Sequence, residues 1–316
     1  MASTANASQL IDRNAKNLTL QLNAKGEALL TYSAKGRTRH VLAWGAINAH
    51  DPDATTQQVR LTLDYTGGYG KYFKNDATAQ ALAKQFRSGA SLSPTELGRL
   101  RELQTRADTY WKTAFHGGCG HYDGPPLAWL KLACKAPDGT YWAVQEWQRE
   151  LPDYGVSPSA AQAVWEVRLS HWTGELPELQ VQTDWSWHRF DHLFGTFTYL
   201  GKPVYGFHAK SSGDPLDSYG RNVYIDTLDS AYGAGWHREN SALTHKGTGV
   251  FCYSFNDHIG GHPAGDGSRY RITVIGPGVT PDVEWEGAAP GAFDAAKEQR
   301  ANDAISALGD SVCRPN

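Results

Sequence analysis

The residues best equipped for chemistry gather in one short run, Thr183-Asp184-Trp185-Ser186-Trp187-His188-Arg189-Phe190-Asp191-His192. It holds two carboxylates, two imidazoles, a guanidinium and two indoles. Carboxylates beside flat aromatic rings form the usual furniture of a saccharide site. The ring covers the apolar face of a pyranose, and planar polar groups bond its hydroxyls. Asp184 and Asp191 are therefore candidate acid/base groups, and Trp185, Trp187, His188, Arg189 and His192 candidate substrate contacts. Both Trp at strand spacing would also serve as core packing. If 188–192 were helical, His188 and His192 would share a face and, with a carboxylate, could take a divalent metal. The intervening Glu of an HExxH zinc motif is missing, so no metal ligand is assigned.

A third candidate carboxylate is Glu146, in Trp142-Ala143-Val144-Gln145-Glu146-Trp147. It alternates with Trp142 and Val144 and so shares their face. On an apolar face a carboxyl is either paired or raised in pKa, and the second case suits a general acid. Two such carboxyls are the minimum for glycoside hydrolysis. The loop Tyr65-Thr66-Gly67-Gly68-Tyr69-Gly70 adds Tyr65 and Tyr69 as further stacking residues. Asp226-Thr227-Leu228-Asp229-Ser230 with Tyr232-Gly233-Ala234-Gly235-Trp236-His237-Arg238-Glu239-Asn240-Ser241 reads as a long, well-specified loop. The imidazoles of Asn256-Asp257-His258 and His262 beyond it either approach this loop or are solvated, and the second reading is favoured.

These residues need a scaffold, and the pattern around them is that of strands. Alternating apolar runs at 18–22, 28–33, 39–47 and 59–63 are separated by Gly-bearing turns. Others follow at 127–134, 141–148, 164–172, 178–184, 194–199, 203–208, 222–228, 249–255 and 269–275. Asp138-Gly139 between two apolar runs is a strong hairpin signal. Between 75 and 116 the period becomes helical, with Ser93-Pro94-Thr95-Glu96 as a capping box. A last helix is expected over about 293–308, stopped by Gly309. The expected fold is mainly β: an antiparallel β-sandwich or barrel-like core, a helical insertion and a C-terminal helix. Residues 1–15 read as a flexible leader and 16–316 as one β-rich domain.

Four cysteines allow three pairings. Cys119–Cys134 and Cys252–Cys313 are favoured: the first closes a short loop, and the second pins the C-terminal segment to a strand. A disulfide at Cys119 removes the rival reading of His116, Cys119 and His121 as metal ligands. Two disulfides and a single Met fit an oxidising compartment, extracellular or periplasmic. The N-terminal residues lack a basic and apolar leader, so the chain is expected to be a mature form.

The charge balance, 30 basic against 33 acidic residues, argues against nucleic acid as a partner. No apolar run is long enough to span a bilayer as a helix. Nucleophile-elbow, phosphate-loop and dinucleotide motifs are missing, and no cofactor is expected. The chain therefore reads as a secreted glycan hydrolase acting on a polysaccharide or oligosaccharide, with Glu146 and Asp184 or Asp191 as the acid/base pair. A non-catalytic carbohydrate-binding or cell-envelope module is the first alternative. A metal enzyme built on His188 and His192 is the second.

Overall fold

The structure is a computed structural model that describes residues 8–51, 58–72, 77–89, 91–115, 117–205, 221–258 and 260–314. Among the described residues the fold is mainly β, with four antiparallel sheets and no closed barrel. Two of the sheets come from the first half of the chain. One has β2 (Lys16–Leu22), β3 (Ala28–Ala34), β4 (Arg37–Trp44), β5 (Thr62–Asp64) and a short β6 (Gly117–Gly118), in the order β5-β4-β3-β2-β6. The other orders β1 (Gln9–Arg13), β9 (Glu166–Trp172), β8 (Tyr141–Trp147) and β7 (Leu130–Lys135) side by side. Alternate residues of both sheets, among them Leu30, Tyr32, Val41, Trp142, Val144 and Leu169, share one apolar core.

Residues 9–13 are thus a strand hydrogen-bonded to β9, not part of a flexible leader. Three polar residues out of five hid this edge strand from the alternation rule. Residues 1–7 of that expected leader lie outside the described residues.

The helical insertion comprises α1 (Tyr69–Tyr72), α2 (Ala77–Arg87) and α3 (Pro94–Ala114). Ser93 and Glu96 bond each other's backbone N–H, closing the expected capping box. Leu82 of α2 and Leu103 of α3 are buried against one another's neighbours.

The second half builds another pair of sheets. β10 (Glu178–Ser186), β11 (Phe190–Tyr199), β12 (Lys202–Pro203) and β15 (Val250–Phe255) form one, with β11 between β10 and β15. β13 (Val223–Ser230), β14 (Gly233–Ala242), β16 (Arg269–Val274) and β17 (Val283–Ala288) form the other, in the order β14-β13-β16-β17. Leu193, Phe197 and Phe251 from the first meet Ile225, Tyr270 and Ile272 from the second. Most of the run 232–241, read from sequence as a long loop, is strand β14. Gly233, Gly235 and a mostly polar sequence masked its alternation. Of the expected strand 203–208, residues 206–208 lie outside the described residues.

α4 (Ala295–Ala307) closes the fold, one or two residues shorter at each end than expected. Asp294 caps its start by accepting from Ala296 N and Lys297 N. Both expected disulfides are present, Cys119–Cys134 and Cys252–Cys313. The second ties the turn after α4 to β15.

Candidate functional site

The run 183–192 is a β-hairpin, neither a loop nor a helical turn. β10 and β11 pair from Glu178↔Thr198 to Ser186↔Phe190, leaving Trp187, His188 and Arg189 as the connection. All three hold left-handed backbones, at φ 40°, 72° and 66°, a conformation that disfavours side chains bearing a β-carbon. Helix α4 offsets that strain. Asn302 accepts from Trp187 N at 3.0 Å, and Glu298 accepts from Arg189 N at 2.9 Å. The Arg189 guanidinium covers the Phe293 ring at 4.1 Å, and Trp185 Nε1 donates to Gly291 O at 2.8 Å. Trp187 packs under α4 with Phe194 and Cys252. Most of the densest chemical run is thus the seat of the C-terminal helix.

The remaining expected residues separate in space. His188 is exposed in the turn, while His192 is buried in β11 with Nδ1 on Phe190 O at 3.1 Å. The helical geometry that would have joined the two imidazoles is therefore not formed. Burial lowers the His192 pKa. Among the described residues no group of three His, Cys, Asp or Glu is arranged to hold a metal ion. Asp184 sits opposite His192 across the strand pair, its Oδ1 accepting from Trp185 N. Glu146 lies on β8, in a different sheet, with Lys131 Nζ 3.5 Å away. Tyr69 packs against Leu82 and Leu103 in the helical insertion, whereas Tyr65 is exposed.

Asp191 has a different environment. It faces the interior between the two second-half sheets, 5% exposed, and Tyr270 of β16 donates its hydroxyl to Oδ2. Phe255 stacks on Tyr270 with ring centroids 4.4 Å apart. Among the described residues no cation pairs with this carboxylate. Burial pushes its pKa up to about 7; the Tyr270 bond opposes the rise, and the charge of Asp266 adds to it.

Asp266 leads to a second buried carboxylate, Glu239. Along β13 and β14, Ile225 opposes Asn240 while Asp226 opposes Arg238, so Glu239 is the extra residue of a β-bulge. A bulge re-aims a side chain that regular alternation would send elsewhere. Arg238 points to Asp226, with Nε 2.6 Å from Oδ1. Glu239 instead meets β15 and the loop after it. Its Oε1 accepts from Tyr253 Oη at 2.5 Å and from His258 Nε2 at 2.6 Å. A carboxylate oxygen only accepts, so this contact places a proton on Nε2. Tyr154 stacks against His258 and His262, with centroids 4.4 and 5.5 Å away. Its backbone N donates to Glu239 O at 2.9 Å. His258, expected to be solvated, is a buried partner of Glu239. Gly265 lies so close that a β-carbon there would overlap the Glu239 carboxylate.

Asp266 is exposed at the edge of this cluster. Burial of its carboxyl and the charges of Glu239 and Asp257 raise its pKa. Burial and the Glu239 charge likewise raise the Tyr232 and Tyr253 phenols, keeping both protonated as donors. The end of the second sandwich thus joins three carboxyls, two imidazoles and four tyrosines, with a proton retained near neutrality. Such a set can deliver a proton to a leaving oxygen and present a carboxylate to the same substrate.

Sequence reading found Asp191 here and noticed Glu239 and His258 without joining them. Tyr253, Tyr270 and Asp266 went unremarked. The usable signal was the Asp257-His258…His262…Gly265-Asp266 run, whose glycines let a loop fold back onto a strand.

No protein-family model, no curated protein and no solved structure matches this chain.

Proposed function

We propose that the protein is a hydrolase acting on a polysaccharide or oligosaccharide, with its acid/base centre at Asp191, Asp266 and Glu239. The observation that carries this reading is the Asp191 carboxyl, buried with no cation beside it among the described residues, held near pKa 7 and acted on by the charge of the solvent-facing Asp266. A carboxylic acid still protonated at neutral pH is what cleavage of a glycosidic bond needs for its leaving oxygen. Asp266, at the edge, serves as the partner carboxylate. Glu239 is a positioning residue that fixes His258 and Tyr253 along the wall. Tyr154 and Tyr232 supply the aromatic surface there. Glu146 and Asp184 are released from the acid/base role, because Glu146 pairs with Lys131 and Asp184 lies on the opposite face of its hairpin from the Tyr270 contact. Two disulfides, with no helix in the described residues long and apolar enough to cross a membrane, are compatible with work outside the cell or in a periplasm.

The test is reducing-sugar release from a panel of neutral and acidic glycans. The wild-type protein is expected to cleave at least one. Asp191→Asn and Asp266→Asn should each slow that cleavage by about 10²–10⁴-fold. Glu146→Gln and Asp184→Asn should stay within a few-fold of wild type. Binding of a glycan by a wild-type protein that cleaves none would replace this reading with the non-catalytic carbohydrate-binding module.

A further inference from the structure

A groove in the first half of the molecule lies apart from this centre. It has a volume of about 480 Å³ and is lined by Asp12, Arg13, Asn14, Lys35 and Tyr65, with Ile11 among its apolar members. That volume falls within the range of roughly 300–1,000 Å³ usual for small-ligand sites. Tyr65 is 54% exposed, yet its ring is not loose, because its hydroxyl donates to Ile11 O at 3.2 Å. A large aromatic ring, fixed at its polar tip and open to solvent, is a stacking platform.

The polar groups around it are held as well. Asn14 is pinned at both ends: its N–H donates to Trp165 O at 2.8 Å, and its Oδ1 accepts from Trp165 N at 2.9 Å. This leaves the Nδ2 hydrogens as donors. Asp12 keeps acceptor capacity beside Arg39, at 3.7 Å. Lys35 occupies the first position of the two-residue turn joining β3 and β4, at φ 51°. Asn or Gly is preferred there. A long cationic side chain is strained in that place and makes no ion pair with a described residue. Asn14 is left-handed too, at φ 52°.

We infer that this groove binds one pyranose unit of a glycan chain, stacked on Tyr65 and hydrogen-bonded by Asn14, Lys35 and Asp12. The inference rests on the reading of the protein as glycan-directed. It adds a second contact that would hold a polymer while the distant carboxyls act.

Native gels cast with a neutral β-glucan, a xylan or a polygalacturonate provide the test. The full-length protein should be retarded in at least one of them, and Tyr65→Ala should weaken that retardation roughly tenfold. Tyr65→Phe, which keeps the ring, should retain most of it. Lys35→Asn relaxes the turn, so it should raise the melting temperature while reducing retardation, a combination that a purely structural role would not produce. Retardation in none of the gels, or retardation unchanged in a folded Tyr65→Ala variant, overturns the inference. Asp191→Asn should leave retardation intact. Loss of the hydrolase reading would thus show in sugar release alone, and loss of the groove reading in the gels alone.

Discussion

Two buried carboxylates, one in each half of the molecule, meet opposite fates. Glu166 on β9 is 2% exposed and Asp191 on β11 is 5% exposed, so the two lose water to the same degree. Around Glu166 stand three guanidinium groups. Arg168 Nη2 is at 2.7 Å, Arg13 Nη2 at 2.8 Å, and buried Arg149 acts through its charge. Burial alone would raise the Glu166 pKa, yet the three cations overrule it and hold the group at about 2. Asp191 has a phenol where Glu166 has guanidinium groups, and it rises to about 7. The difference shows that burial sets the stakes while the partner's charge decides the sign. One carboxylate is a structural tie that stays ionised, and the other is a proton store.

The sharpest way to break this contrast is to remove each charge while keeping its shape. Glu166→Gln takes from buried Arg168 the carboxylate it bonds, leaving it only the charge of Asp282, and removes the Glu166 charge beside buried Arg149. It should destabilise the fold by about 3–5 kcal/mol in denaturant titration. Asp191→Asn loses only a group already neutral for part of the time and keeps an acceptor for Tyr270. Its stability at pH 7 should stay within about 1 kcal/mol of wild type or exceed it, while glycan cleavage collapses. A loss of several kcal/mol in Asp191→Asn would make both carboxylates structural.

The pH dependence should separate them next. A carboxyl raised in the folded state keeps its proton longer there than in the unfolded chain. The Asp191 contribution is therefore fully present below about pH 4 and declines as pH rises from about 4 to 7. Near 1.4 kcal/mol per pH unit, the decline totals up to about 4 kcal/mol. Glu166 is lowered, so its contribution is present above about pH 4.5 and disappears as pH falls toward 2. Melting curves should show Asp191→Asn losing less stability than wild type between pH 5 and 8. Glu166→Gln should lose less between pH 4.5 and 2. Parallel curves for Asp191→Asn and wild type would mean that Asp191 is ionised throughout.

The same contrast explains what could be read in the sequence. Strand alternation exposed the β architecture, and the cysteine spacing picked out both disulfides, because each rests on short-range periodicity or loop length. Asp191 was visible as a carboxyl beside aromatic residues. Its partners were not, since Tyr270 and Asp266 lie more than seventy positions away and meet it only across two packed sheets. Glu239 was hidden by its own bulge, which breaks the period that would have announced a strand. Trp185, Trp187 and Arg189 misled for the opposite reason. Their density reflects a strained turn seated against α4, and a helix distant in sequence leaves no local mark on the residues it covers.

The finest adjustment available is Thr183, whose hydroxyl reaches Asp191 Oδ1 at 3.5 Å, the outer limit of a hydrogen bond. Like Tyr270, it holds the Asp191 pKa down by bonding the ionised form. Thr183→Val keeps the shape and deletes the donor. The carboxyl should then rise further, by less than one unit, because the bond is long and Tyr270 remains. Stability at pH 5 should barely change, since the group is protonated there with or without Thr183. The limb of the rate profile governed by the acid should move to higher pH by that same fraction of a unit. A shift to lower pH would mean that Thr183 bonds the protonated carboxyl instead, and would place the Asp191 proton on Oδ2, facing Tyr270.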